Sequence, residues 1–251
     1  MYHMQRAGLV LASAALLALV SCANLGTGIS AAANARAVVA SADRSAADRA
    51  ADLRRQPEQL LTFAGVTPGM RILDVSTGPG YSTELLARAV GPGGVVYGQD
   101  GPKPSERAAT GFNARMAQPA MAAVVRVLRD FDDPLPPGTA PLDRVFILNA
   151  YHDFGHMKVD RTRMNARLFE SLRSGGELII GDHSALAGAP IETGGTLHRI
   201  DEALVRRELE AAGFRFAGSA DFLRHAEDPR TERVFGSKTP VDEFMLKFVR
   251  P

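Results

Sequence analysis

The sequence predicts an α/β fold: a mainly parallel sheet covered by helices on both faces. Three observations carry this. Short apolar strands alternate with amphipathic helices from residue 48 onward, the pattern of crossover units. The segment 144–149 (RVFILN) is almost wholly apolar, as a strand buried on both faces must be. A two-glycine turn, Gly78-Pro79-Gly80, joins the first strand to the first amphipathic helix.

Composition limits the partners. The 251 residues carry 29 Lys+Arg against 28 Asp+Glu, a formal charge of +1, and 45% are hydrophobic. This excludes a largely disordered chain and gives no electrostatic reason for a nucleic-acid partner. A single cysteine, Cys22, excludes an intrachain disulfide and a Cys-rich zinc site.

The N-terminus reads as an address. Arg6 gives a basic head, and residues 8–20 form an uncharged apolar run too short to span a bilayer comfortably. Leu19-Val20-Ser21-Cys22 resembles the bacterial lipobox, whose peptidase cuts before a Cys that carries lipid. Residues 1–21 are therefore expected to be a lipoprotein signal peptide, with Cys22 the lipidation site and membrane anchor. An ordinary signal peptide is the alternative. Ala23 and Asn24 follow, without the Asp that retains such proteins at the inner membrane. That favours a periplasmic, outer-membrane-anchored location. Residues 22–47 are small and polar, and read as a flexible tether able to turn helical near its end; 48–251 is the folded domain.

The elements of that domain follow in order. Residues 55–63 hold a short helix, and Thr67-Pro68-Gly69 breaks it. RILDV (71–75) is a strand. Residues 83–90 form an amphipathic helix stopped by Gly91-Pro92-Gly93-Gly94. VVYG (95–98) is the second strand, 105–116 a helix, 124–128 the third strand and 144–149 the fourth. A helix over 161–172 ends at Ser174-Gly175-Gly176, before a fifth strand, 177–181. Helix 201–212 is capped by Gly213, and strands 214–219 and 243–249 close the chain. Such sheets bind ligands at the carboxyl ends of their strands, near the reversal of strand order.

The first strand runs into Asp74-Val75-Ser76-Thr77-Gly78-Pro79-Gly80, and Asp100 ends the second strand twenty residues later. Glycines let a ligand approach the backbone, and a carboxylate at that distance can accept both hydroxyls of a ribose. The dinucleotide fingerprint G-x-G-x-x-G is broken by Thr83, and no Gly-Lys-Ser/Thr phosphate loop is present. A purely structural turn is the remaining alternative.

The stretch 70–100, MRILDVSTGPGYSTELLARAVGPGGVVYGQD, resembles motifs I and II of class I S-adenosylmethionine (SAM) methyltransferases. Asp74, Gly78 and Gly80 match the pattern D-x-G-x-G-x-G, and Ser76 stands at its first glycine. The resemblance implies a Rossmann-like seven-stranded sheet with an antiparallel last strand, and SAM as cofactor. It places Asp100 on the ribose, Asp130 on the adenine amine, and Asn149 where strand four reaches the methyl group. Later pieces, including YHD (151–153), GDH (181–183) and LHRID (197–201), look like an exported bacterial subgroup of predicted methyltransferases. The implied function is methyl transfer to a small-molecule acceptor. An exported binding protein that keeps the fold without the activity is the alternative.

His152 and Asp153 follow strand four, and Asp182 and His183 follow strand five, so both pairs lie at the carboxyl edge. His156 and His198 are close in sequence to these elements. Three readings stand. His152, Asp153 and His183 are catalytic, one histidine being a general base. The same residues with His156, Asp182 and His198 hold a divalent metal. Or they hydrogen-bond loops together. H-D-x-x-H lacks the Glu of a zinc-protease motif.

Overall fold

A computed structural model describes residues 1–2, 29–139 and 141–251. The expected signal segment beyond residue 2, Cys22 and the first part of the expected tether lie outside them.

In chain order the elements are α1 (Ala31–Val39), α2 (Ala46–Arg55), α3 (Pro57–Phe63), β1 (Arg71–Val75), α4 (Tyr81–Val90), β2 (Val95–Asp100), α5 (Glu106–Met116), β3 (Val124–Leu128), β4 (Leu142–Leu148), α6 (Tyr151–His156), α7 (Arg161–Ser171), β5 (Leu172–His183), α8 (Thr193–Leu197), α9 (Glu202–Ala211), β6 (Arg215–Ala220) and β7 (Glu243–Val249). The seven strands form one sheet in the order β3-β2-β1-β4-β5-β7-β6. β1 to β5 pair in parallel, and β7 runs antiparallel between β5 and β6. This is the expected architecture, its last strand antiparallel.

Successive side chains of a strand point to opposite faces, and the central strands are apolar at both parities. Ile72, Phe146 and Ile179 pack on one face, with Leu85 and Leu86 of α4 and Leu61 of α3. Leu73, Val145, Ile147, Leu178 and Ile180 pack on the other, with Met164 and Leu168 of α7 and Val205 and Leu209 of α9. The expected break at Ser174-Gly175-Gly176 is a register irregularity within β5, whose pairing to β4 shifts between Leu142 and Arg144.

The expected tether needs correcting over residues 29–47. Ala35 and Val38 of α1 are buried against α3 and α4. The Asn34 amide donates to the carbonyls of Val66 (3.2 Å) and Ala89 (2.9 Å). Arg44 pairs with Asp52 at 2.6 Å, and Asp48 with Arg115 at 2.6 Å. Small residues bury little area each, which suggested a free segment. They also let a helix approach closely, and Asn34 satisfies carbonyls that would otherwise be buried without partners. Among the described residues no helix is long and apolar enough to cross a membrane.

Strand order reverses between β1 and β4, so the loops after these strands diverge and leave a crevice at the carboxyl edge.

Candidate active site

The turn after β1 is held from below. Asp74 is buried and accepts from the hydroxyls of Ser82 (2.9 Å) and Thr83 (2.7 Å) at the start of α4. Burial pushes its carboxyl up to about 6 against the opposing pull of those hydroxyls. Ser76, Gly78 and Gly80 all have positive φ, at 60°, 52° and 88°. A Cβ on Gly80 would come within 3.0 Å of Phe112, so Gly80 serves close packing. A Cβ on Gly78 would meet no heavy atom within 4 Å, since that stretch of backbone faces open space.

Two cavities adjoin along this turn. One, of about 1040 Å³, is lined by Ser76, Asp100, Leu128, Asp130, Phe131 and Asp153, among others. The second, of about 650 Å³, is lined by Arg54, Gly78, Asn149, His152, His183 and His198, among others, and shares Asp153 with the first. Of the sequence-predicted residues, Ser76, Asp100 and Asp130 thus meet at one cavity. Gly78, Asn149, His152 and His183 meet at the other. Asp74 and Gly80 line neither; they shape the turn from beneath.

The first cavity fits an adenosyl group. Asp100 Oδ1 accepts the Gly101 N–H at 2.9 Å, and burial raises the pKa of its carboxyl. It keeps acceptor capacity toward the cavity, as two ribose hydroxyls require. Leu128 and Phe131 supply apolar wall beside it.

Histidines crowd the second cavity. His152 Nδ1 lies 2.6 Å from Asp182 Oδ1, and its Nε2 lies 3.3 Å from Asp153 Oδ1. Burial lowers the pKa of His152, but the two carboxylates outweigh it and hold the ring up to about 10. The two carboxylates thus favour the protonated ring. His183 is the opposite case. Burial lowers its pKa, its Nδ1 donates to the His198 carbonyl at 3.0 Å, and its Nε2 carries the lone pair. The Asn149 amide nitrogen sits 2.9 Å from that Nε2. Burial drives the Asp153 carboxyl upward, but His152 keeps it below the usual carboxylate range.

Several site residues escaped the sequence reading. Glu243 is buried and accepts from Asn149 at 3.2 Å and Arg54 at 3.3 Å. A carboxylate opening the mostly apolar strand EFMLKFV was the signal available. The segment 223–241 supplies Leu223, Phe235 and Val241 to the outer wall. It is fastened by Arg199, which is fully buried and reaches Asp228 at 2.7 Å and the Glu232 carbonyl at 2.8 Å. A basic run there reads from sequence as a solvated face.

The family model described as protein-L-isoaspartate(D-aspartate) O-methyltransferase (PCMT) matches residues 55–181. The chain belongs to this methyltransferase family. It is a SAM-dependent methyltransferase, and SAM is its cofactor. The matched span of this PCMT-family chain contains the glycine turn, Asp100, Asp130 and the whole first cavity. It ends just before Asp182 and His183, so half of the histidine cluster lies outside it. Solved structures share the fold. A SAM-dependent methyltransferase of Aquifex aeolicus is 21% identical with a TM-score of 0.55, covering 78% of this chain and 89% of its own. A protein of Galdieria sulphuraria, described as a candidate sarcosine dimethylglycine methyltransferase, is 16% identical with a TM-score of 0.59, covering 80% and 87%. No curated protein matches the chain.

Proposed function

We propose that the enzyme methylates a small-molecule acceptor held in the 650 Å³ cavity, and that it works outside the cytoplasm, anchored by lipid on Cys22. The observation that carries the acceptor site is the shared wall. Asp153 lines both cavities, so the histidine cluster stands where a cofactor in the first cavity would present its reactive end. SAM supplies a methyl group already activated on a sulfonium. Asp100 and Asp130 would hold its adenosine, with Ser76 and Gly78 offering backbone at the turn. Asn149 and His152 orient the acceptor. His183 Nε2, displaced from Asn149, takes the proton of an acceptor hydroxyl or amine. The cavity volume suits a ligand of a few hundred daltons, and the near-neutral chain suits a small molecule better than a nucleic acid.

A carboxylate acceptor, the class in the family's printed name, is a second reading. Arg54, Arg55 and Arg107 on the same cavity wall favour it. A carboxylate needs no base. The two readings separate on the product: incubation with labelled SAM and candidate acceptors should leave an alkali-stable methyl group under the first reading and an alkali-labile ester under the second. An enzyme that binds no SAM in calorimetry at millimolar ligand would overturn both.

The periplasmic, outer-membrane location rests on the lipobox-like residues 19–22 and the residues after Cys22. Mass spectrometry of the N-terminal peptide should show an acylated Cys22, lost in Cys22→Ala; identical termini would overturn the anchor.

A further inference from the structure

Three imidazoles surround one carboxylate oxygen at the seam between the cavities. Asp153 Oδ1 lies 3.3 Å from His152 Nε2, 3.5 Å from His198 Nδ1 and 3.7 Å from His156 Nδ1. Good N–H···O bonds are about 2.9 Å long, and all three distances exceed that. A tetrahedral ion with bonds of about 2.0–2.1 Å keeps its ligand atoms about 3.3–3.4 Å apart. The distances from His152 and His198 lie close to that spacing, and the one from His156 exceeds it.

The backing of His152 is an independent observation. Asp182 is fully buried and accepts from His152 Nδ1, from the His152 N–H (2.9 Å) and from the His183 N–H (2.8 Å). A carboxylate behind one ring nitrogen, fixing the other toward a shared point, is the arrangement that orients metal-binding imidazoles. The neighbouring group His152, Asp182 and His183 does not offer a second site. Its carboxylate already accepts from three of those donors, and His183 Nδ1 is engaged by the His198 carbonyl.

We propose that the chain binds a divalent transition-metal ion through His152 Nε2, Asp153 Oδ1 and His198 Nδ1, whose atoms lie within 4.8 Å of one another, with the fourth position left open. His152, Asp153 and His156 share the turns of α6, and His198 closes from the end of α8 in a left-handed conformation (φ 55°). Such a backbone is costly for a residue with a Cβ and marks a position fixed by its surroundings. Nitrogen and carboxylate donors without thiolate suit zinc, iron or manganese. Arg233 is exposed and lies 3.3 Å from His198 Nε2; it must swing away when that nitrogen carries the proton. Resting on the methyltransferase reading, the coordination position open to the 650 Å³ cavity takes an acceptor oxygen, and the ion lowers the pKa of a bound hydroxyl.

The test uses the full-length chain, stripped of metal and titrated with Zn²⁺ by calorimetry, with bound metal counted by elemental analysis. One zinc per chain is expected. His198→Ala and Asp153→Asn should each weaken binding at least tenfold, while His225→Ala, on the same cavity wall but outside the cluster, should not. Thermal melts of each variant establish that it is folded. Zinc well below one per chain, or equal affinity in folded His198→Ala, overturns the site. SAM is titrated in the same preparations. SAM binding without zinc overturns the metal alone; zinc binding without SAM keeps the metal and overturns the methyltransferase reading.

Discussion

Asp182 grips His152 twice, accepting the backbone N–H at 2.9 Å and the ring Nδ1 at 2.6 Å. The backbone bond places the carboxylate beside the residue, and the ring cannot rotate without breaking the Nδ1 bond. The end of β5 therefore sets the orientation of a side chain on α6. Asp182→Ala strands three buried donors and removes the nearer of the two carboxylates that face the ring. It should lower the unfolding free energy by about 3–5 kcal/mol, measured by denaturant melts. A change under about 1 kcal/mol would mean that the ring is held by something else.

Asp100→Ala removes the acceptor expected to bind the ribose hydroxyls. Hydrogen bonds to a charged group contribute about 1.5–3 kcal/mol. SAM affinity should fall by about ten- to a hundredfold in calorimetry, with the melting temperature little changed. Unaltered affinity would place the ribose elsewhere.

Asp74 imposes a pH dependence on stability. Its folded pKa, about 6, lies above the ordinary 3.8. Between these values the unfolded chain has lost the proton that the folded chain keeps, so stability falls as pH rises through the window. Two pKa units amount to about 3 kcal/mol. Asp74→Asn keeps an acceptor for the Ser82 and Thr83 hydroxyls but cannot ionise. Relative to wild type it should gain about that much between pH 4 and pH 7.5, read from denaturant midpoints. Parallel curves would contradict the assignment.

The two glycines of the turn should fail differently. Gly80→Ala drives a methyl against Phe112 and should cost at least about 1–2 kcal/mol of stability. Gly78→Ala meets no protein atom, so its stability loss should be smaller and its loss of SAM affinity larger. The opposite ranking would show that the ligand approaches the turn at Gly80.

Arg199→Met leaves Asp228 buried without its cationic partner and removes the bonds through which Arg199 ties the 223–241 segment to Ser184. About 3–5 kcal/mol of stability should be lost. In protein kept folded by low temperature, KM for the acceptor should rise more than KM for SAM. Equal rises would detach this segment from acceptor binding.

Most of the sheet was legible because it repeats a simple rule. Runs such as RILDV and RVFILN are too apolar to face water, and the glycine turns between them fix where strands end. That Ser76, Asp100 and Asp130 meet at one cavity was legible for the same reason: their positions follow from strand ends. What escaped depends on pairing across the chain. Asp182 and His152 are thirty residues apart, and Glu243 reaches Asn149 only because β7 inserts beside β5. The protonation of His152 is set by two carboxylates whose closeness no local pattern reveals. Helix α1 was missed because its hold on the body comes from Asn34 and close packing of small residues, not from an apolar stripe.

That docked helix shortens the leash. With Ala31 already in the body, only nine peptide links separate it from Cys22, a reach of at most about 32 Å even fully drawn out. If Cys22 carries lipid, the catalytic domain cannot roam the compartment around it. It must ride within roughly its own diameter of the bilayer, and acceptors that concentrate at the membrane surface would meet it first.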